Sequence, residues 1–335
     1  MAYKMTYLEF DQFLNNCNEY DLYGPVIKNK GGKYSDTDLI TYRKVKTFME
    51  MDFTKKSNYS AKDVLLPLSQ TLFYFTETEF KKPKNLMRKS LVFVRSCDLH
   101  AVERTDQIYL NNKYSDIYYQ ERRELVKYIV VGCTKEFDNC NCVSFESNKT
   151  DNYAMAINLR SEFVELDIKD KDFLIDGEEF NNFKLDYVNE TTLKTKVPQN
   201  VKLSEIISAN IWEEYSSRCI GCGACNMVCP TCTCFTMQDI IYDENKNVGE
   251  RKRVMASCMI DGFTDMAGGH KFREDKKDRM RFKVMHKIGD FKSRFGYNMC
   301  VGCGRCDDVC PEHILFSNAV DKVSSLLEQR GGSDG

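Results

Sequence analysis

The sequence twice spells C-x2-C-x2-C-x3-C-P. The first run is Cys219, Cys222, Cys225, Cys229 and Pro230; the second is Cys300, Cys303, Cys306, Cys310 and Pro311. A cysteine at every third position bends the backbone around a cubane, so that three thiolates meet three irons. The fourth cysteine, one residue further along, points away. Where two clusters share a chain, it ligates the other one. Two such runs specify a pair of [4Fe–4S] clusters, and the rest of the chain has to fold around them.

Other uses of the sixteen cysteines fit less well. Disulfide frameworks belong to small secreted chains, whereas this one has 335 residues and no apolar secretory core between Met1 and Phe10. Structural zinc pairs two C-x2-C knuckles, or combines Cys with His. It does not call for three steps of three residues followed by Cys-Pro. Hydrophobic residues make up 42% of the chain and charged residues 29%, an ordinary balance for a globular protein with a real core. The net charge of −2 supplies no global field for nucleic acid or an anionic membrane. No apolar run approaches the roughly 18 residues that a transmembrane helix needs. The expectation is a cytoplasmic protein with neither a nucleic-acid nor a membrane partner.

Upstream of the runs, Tyr7 to Cys17 has helical apolar spacing, and residues 64–75 are buried strand or helix material interrupted by Pro67. Leu91 to Val94 reads as a buried strand ending in Arg95-Ser96-Cys97-Asp98, with Asp98 placed to cap a helix over about Leu99 to Leu110. A second strand, Tyr128 to Val131, ends in Gly132-Cys133, and Cys140 and Cys142 follow in an Asn-rich loop. Two strands thus deliver a cysteine at their C-terminal ends, the edge where open α/β sheets build their sites. If the strands are neighbours, Cys97, Cys133, Cys140 and Cys142 meet. They would then form a third cluster or a zinc site; otherwise they are four unrelated thiols. Residues 153–168 alternate like a hairpin around Arg160-Ser161-Glu162.

The expected class is α+β. An N-terminal mixed α/β domain over residues 1–200 precedes an α-helical ferredoxin domain over residues 201–330 with two [4Fe–4S] clusters. A helix from Leu203 to Tyr215 leads into the first run. The long interval between Cys229 and Cys300 suggests a helical insert, with a short helix over Thr236 to Tyr242 and a long basic one over His270 to Ile288. That basic face, which includes Lys283 and Lys287, is read first as a solvated surface, with partial compensation of anionic clusters or docking of an acidic partner as the functional alternative. His270 and His286 are read as structural rather than ligating. Cys232, Cys234 and Cys258 are read as packing near a cluster, and a short helix follows Ile314.

Several stretches together resemble the iron–sulfur subunits of anaerobic sulfite reductases and the related β subunits of sulfhydrogenases. They are Arg95-Ser96-Cys97-Asp98, Cys133 with Cys140-Asn141-Cys142, Cys222-Gly223-Ala224-Cys225, Cys229-Pro230-Thr231-Cys232-Thr233-Cys234-Phe235, Ser257-Cys258, Gly268-Gly269-His270-Lys271-Phe272-Arg273, and Cys300-Val301-Gly302-Cys303-Gly304-Arg305-Cys306. The likeness spans roughly residue 90 to 315. It implies an electron-transfer subunit of an NADH-dependent sulfite reductase complex, with no catalytic residue of its own. A flavin- and NADH-binding subunit would feed it, and a siroheme subunit would reduce sulfite to sulfide. It also implies a third [4Fe–4S] cluster on Cys97, Cys133, Cys140 and Cys142. Ligand exchange between the runs gives Cys219, Cys222, Cys225 and Cys310 to one cluster, and Cys300, Cys303, Cys306 and Cys229 to the other. The alternatives are the β subunit of a sulfhydrogenase serving a nickel–iron hydrogenase, or a redox-sensing iron–sulfur module.

Overall fold

The computed structural model describes residues 1–175, 182–242 and 247–331. Its strands are β1 (Ala2–Thr6), β2 (Tyr20–Lys28), β3 (Leu39–Val45), β4 (Ser69–Phe75), β5 (Phe80–Lys81), β6 (Lys89–Val94), β7 (Val126–Val131), β8 (Met155–Leu159), β9 (Phe163–Ile168), β10 (Phe235–Ile241) and β11 (Gly249–Met255). They form a seven-stranded sheet in the order β1-β9-β8-β7-β6-β2-β3 and a four-stranded sheet in the order β10-β11-β4-β5.

The centre of the large sheet is parallel: β2, β6, β7 and β8 run the same way. β3 and β9 flank them antiparallel, and β1, antiparallel to β9, closes the edge in the direction of the central strands. Successive side chains of a strand face opposite ways. Leu91, Phe93, Ile129, Val131, Met155 and Ile157 therefore share one face, packed with Phe10, Leu14 and Phe48. Val92, Val94, Tyr128, Val130 and Ala156 share the other, under Leu99, Tyr109 and Tyr119. Burial on both faces is what unbroken apolar runs in parallel strands imply. β8 and β9 make the hairpin expected from the alternation of residues 153–168.

Several local expectations are revised. The helix after β6 begins at Ser96 rather than Leu99 and ends at Tyr109. Asp98 therefore lies inside its first turn and caps nothing. Leu203 to Tyr215 is not one helix. It breaks into Leu203–Ile206, a tight turn at Asn210–Trp212, and Glu214–Arg218. The Trp212 indole donates back to the Ile206 carbonyl at 2.7 Å, folding the segment on itself. The insert between the runs is not wholly helical, because the expected helix over Thr236 to Tyr242 is strand β10. β10 pairs along its length with β11, and β11 pairs with β4. The second sheet thus draws strands from both sides of residue 200. The basic helix is real but starts later and ends later than expected. It spans Lys276–Met285, widens into a π turn at His286–Asp290, and continues over Phe291–Phe295. A closing helix, Phe316–Gly331, packs Ala319, Val320 and Val323 against Met280, Val284 and Ile288.

Candidate cluster sites

Each run closes around its second cysteine by the same device. Gly221 and Gly223 flank Cys222, and Gly302 and Gly304 flank Cys303; all four glycines have positive φ, between 59° and 74°. The left-handed turns swing the backbone N–H groups inward. Those of Gly221 and Gly302 each donate to the sulfur two residues earlier, Cys219 and Cys300, at 3.4 Å. A short helix begins at Ala224 in the first run and at Arg305 in the second.

The sulfurs surround three cavities. Cys219, Cys222, Cys225 and Cys310 line the first, with Cys306 at its wall. Cys229, Cys300, Cys303 and Cys306 line the second. Cys97, Cys133, Cys140 and Cys142 line the third, with Cys303 at its wall. Cys306 thus borders the first and second cavities, and Cys303 the second and third, which sets the three in a row. The fourth cysteine of each run sits in the cavity built by the other run.

The third cavity depends on long-range placement. β6 and β7 are adjacent and parallel, with Val94 opposite Val130, so Cys97 and Cys133 leave the sheet side by side. The loop bearing Cys140 and Cys142 is held by the second run. Asn141 N–H donates to the Gly302 carbonyl at 2.9 Å, and the Ser147 hydroxyl to the Val301 carbonyl at 2.6 Å. A side chain at Gly302 or Gly304 would collide with the backbone at Asn141 or Asn139.

Charged side chains surround these cavities. The guanidinium of Arg305 and the carboxylate of Asp98, each 3% exposed, form a fork at 2.6 and 2.8 Å, and Arg305 also donates to the Ser57 carbonyl at 2.9 Å. This pair joins the second run to the helix that carries Cys97. Arg95 donates to the Phe53 carbonyl at 2.7 Å and to the Gly132 carbonyl. Lys56 reaches Asp308 at 2.6 Å and the Cys303 carbonyl at 3.2 Å. Lys283 lines the first and second cavities and Lys287 the second. The π turn carries Lys287, whose carbonyl accepts the N–H groups of Met299 at 2.9 Å and Cys300 at 3.3 Å. The helix thereby anchors the start of the second run. Lys283 and Lys287 are buried, so the reading of this face as solvated fails for these two.

Burial favours the neutral form of many of these thiols. It pushes Cys142 and Cys300 up to about 12 and Cys303 to about 11, and it raises Cys97, Cys133, Cys219 and Cys306. Cys229 goes the other way. A hydrogen bond from Cys232 holds it well below the usual thiol range, helped by the charges of Lys287 and Lys62. Metal binding would draw protons from the raised thiols. Among the described residues, no three His, Cys, Asp or Glu side chains converge tightly enough to hold a single metal ion. Thiols spread around a cavity, inward N–H groups and buried cations suit a larger anionic group.

The remaining cysteines lie beside these sites. Cys232 packs against Cys229. Cys258 accepts from the Asn226 amide at 3.0 Å, and its hydrogen bond lowers Cys234 to about 6. Cys17 sits far off, against the large-sheet core. His286 is partly buried and stacks on Phe282 at 5.9 Å. Neither His270 nor His286 lines any of the three cavities.

Residues 218–314 match the model of a 4Fe–4S dicluster domain. The chain therefore carries [4Fe–4S] clusters and is an iron–sulfur electron-transfer protein. Over 346 aligned residues it is 28% identical to sulfhydrogenase 2 subunit beta of Pyrococcus furiosus, covering 95% of this chain and 97% of that one. No solved structure matches it. Among the described residues, no helix is long and apolar enough to cross a membrane.

Proposed function

We propose that the chain is the electron relay of a multi-subunit oxidoreductase, with three [4Fe–4S] clusters in a row. The observation that supports this most directly is the sharing of walls. Cys306 borders the first and second cavities and Cys303 the second and third, so neighbouring centres are separated by single side chains. Cys219, Cys222, Cys225 and Cys310 hold the first cluster; Cys229, Cys300, Cys303 and Cys306 the second; Cys97, Cys133, Cys140 and Cys142 the third. Each cluster, when bound, supplies one-electron acceptance and release. The protein fixes the spacing, excludes water, and sets the local charge through the N–H groups of Gly221 and Gly302 and the cations around the thiolates. The division at residue 200 corresponds to the role of each part: the large sheet supplies the third site and the C-terminal segment the other two.

The chemistry on substrate takes place in another subunit. The motif combination around all three cysteine sets supports the sulfite reductase reading, with an NADH- and flavin-binding subunit delivering electrons and a siroheme subunit reducing sulfite. The near-full-length similarity to a sulfhydrogenase β subunit supports the second reading, in which the terminal partner handles hydrogen. The two readings share the relay and differ in the partner.

The test is iron and acid-labile sulfide per chain after anaerobic purification, with mass spectrometry of whatever co-purifies. About twelve irons is expected, four for each cluster. About eight would remove the third cluster and would leave Cys97, Cys133, Cys140 and Cys142 without a metal role. Siroheme in the co-purified material, with sulfide formed from sulfite, selects the first reading; nickel, with hydrogen uptake, selects the second.

A further inference from the structure

Lys283 and Lys287 are 4% and 3% exposed. Burying a charge is costly unless an opposite charge meets it. Among the described residues, neither lysine forms an ion pair with a carboxylate. Lys287 donates to the Thr231 hydroxyl at 2.6 Å, and the Lys283 ammonium lies 5.2 Å from the centre of the Phe316 ring. Asp307, the acidic side chain that lines both cavities, accepts from the Phe316 N–H at 2.6 Å and the Ser317 hydroxyl at 3.3 Å and does not reach Lys283. The two ammonium groups are oriented by their positions, i and i+4 on one helix face, toward cavities lined with cysteine sulfur. The third cavity differs: its buried Arg305 is already neutralised by Asp98.

We propose that Lys283 and Lys287 are the built-in counter-charges of the first two clusters, and that Lys283, placed between them, sets both reduction potentials. The inference rests on the cluster assignment above. Adding an electron makes a cluster more negative, so a nearby fixed cation favours the reduced form and raises the potential. Lys283 lines two cavities and acts on two clusters. Lys287 lines one and acts on the second alone. Neither lines the third. The lysines are positioning residues: they touch no substrate and transfer no electron.

The test is an anaerobic redox titration of the full chain, followed by electron paramagnetic resonance, in Lys283→Met, Lys287→Met, Lys283→Arg and the unaltered protein. Methionine keeps most of the side-chain volume and removes the charge. Lys283→Met is expected to make reduction of both the first and second clusters at least tenfold harder, a fall of about 59 mV or more for a one-electron couple. Lys287→Met is expected to shift the second cluster only. The third stays in place in every variant and serves as an internal reference. Lys283→Arg retains the charge and keeps both midpoints near their original values. Unshifted midpoints in Lys283→Met overturn the proposal, as does an equal shift of all three clusters. If Lys283→Met does not retain iron, Lys283→Arg decides. Normal iron in the arginine variant supports the charge role, and iron loss in both marks a packing role and overturns it. An unaltered chain that binds no iron at all overturns the cluster assignment itself, which is a separate outcome.

Discussion

At the scale of single residues, the sites rest on two devices with different costs. Gly302 and Gly304 hold positive φ and at the same time let the Asn139–Asn141 backbone lie against the second run. An L-residue in the left-handed region costs roughly 1–2 kcal/mol before any collision. Gly304→Ala is therefore expected to lose more stability than Gly221→Ala, whose added carbon would meet the Met259 carbonyl at 3.5 Å and an Arg279 guanidinium nitrogen at 3.8 Å, both ordinary contacts. Thermal unfolding of the two variants, purified anaerobically, checks the order, and equal losses would show that the close approach at Asn139 carries no weight. The Arg305–Asp98 fork behaves differently. Removing one member of a buried pair typically costs about 3–5 kcal/mol, because the other is left charged and unsolvated, whereas replacing both with apolar groups is often close to neutral. Arg305→Met should destabilise strongly, and Arg305→Met combined with Asp98→Leu should recover most of that loss in denaturant titrations. A double variant no better than the single would assign the cost to lost packing or to the Ser57 bonds instead.

At the scale of elements, the second sheet is the feature that most affects how the chain is divided. β4 lies before residue 200 and β11 after it, yet they pair from Phe75–Gly249 to Ser69–Val254. Arg253 in β11 adds an ion pair to Asp116 at 2.7 Å. A chain cut at residue 200 should thus give an N-terminal fragment in which β4 loses its principal partner and Asp98 its arginine. Its melting temperature should lie well below that of the intact protein, and limited proteolysis should cut first near β4 and β5. A fragment as stable as the whole would mean that the second sheet is peripheral. The same pairing explains what could be read in advance and what could not. β6 and β7 were legible because burial on both faces requires unbroken runs such as Leu91–Val94 and Ile129–Val131, and burial is written locally. Both cysteine runs were legible because their ligand spacing is local as well. β10 was not. All seven of its residues are exposed and show no alternation; its extended state comes from a partner that is itself held by a strand far away in sequence. Asp98 was misread for a related reason. Its position after a strand fits a helix cap, and only the fold brings Arg305 to it.

At the scale of the whole molecule, the row of cavities makes the second one the bridge. The first and third have no cysteine wall in common, whereas the second meets one through Cys306 and the other through Cys303. A relay with this layout has no bypass, because electron transfer through protein weakens steeply with distance and the other centres lie on opposite sides. On the proposed assignment, Cys303→Ala removes a ligand of the bridge, at a residue that also walls the third cavity. Cys229, Cys300 and Cys306 remain, too few to complete a four-thiolate site, and the Asn141 and Ser147 contacts that seat the third-site loop run through the Gly302 and Val301 carbonyls, not through the Cys303 thiol. The first and third clusters should therefore survive. Magnetic resonance of the reduced variant is expected to show two centres without the broadening that a neighbouring spin produces, and turnover of the assembled complex should fall to background while its subunits still co-elute. Undiminished turnover with the second cluster gone would show that electrons do not travel along the row, and would leave the chain to a sensing or assembly role.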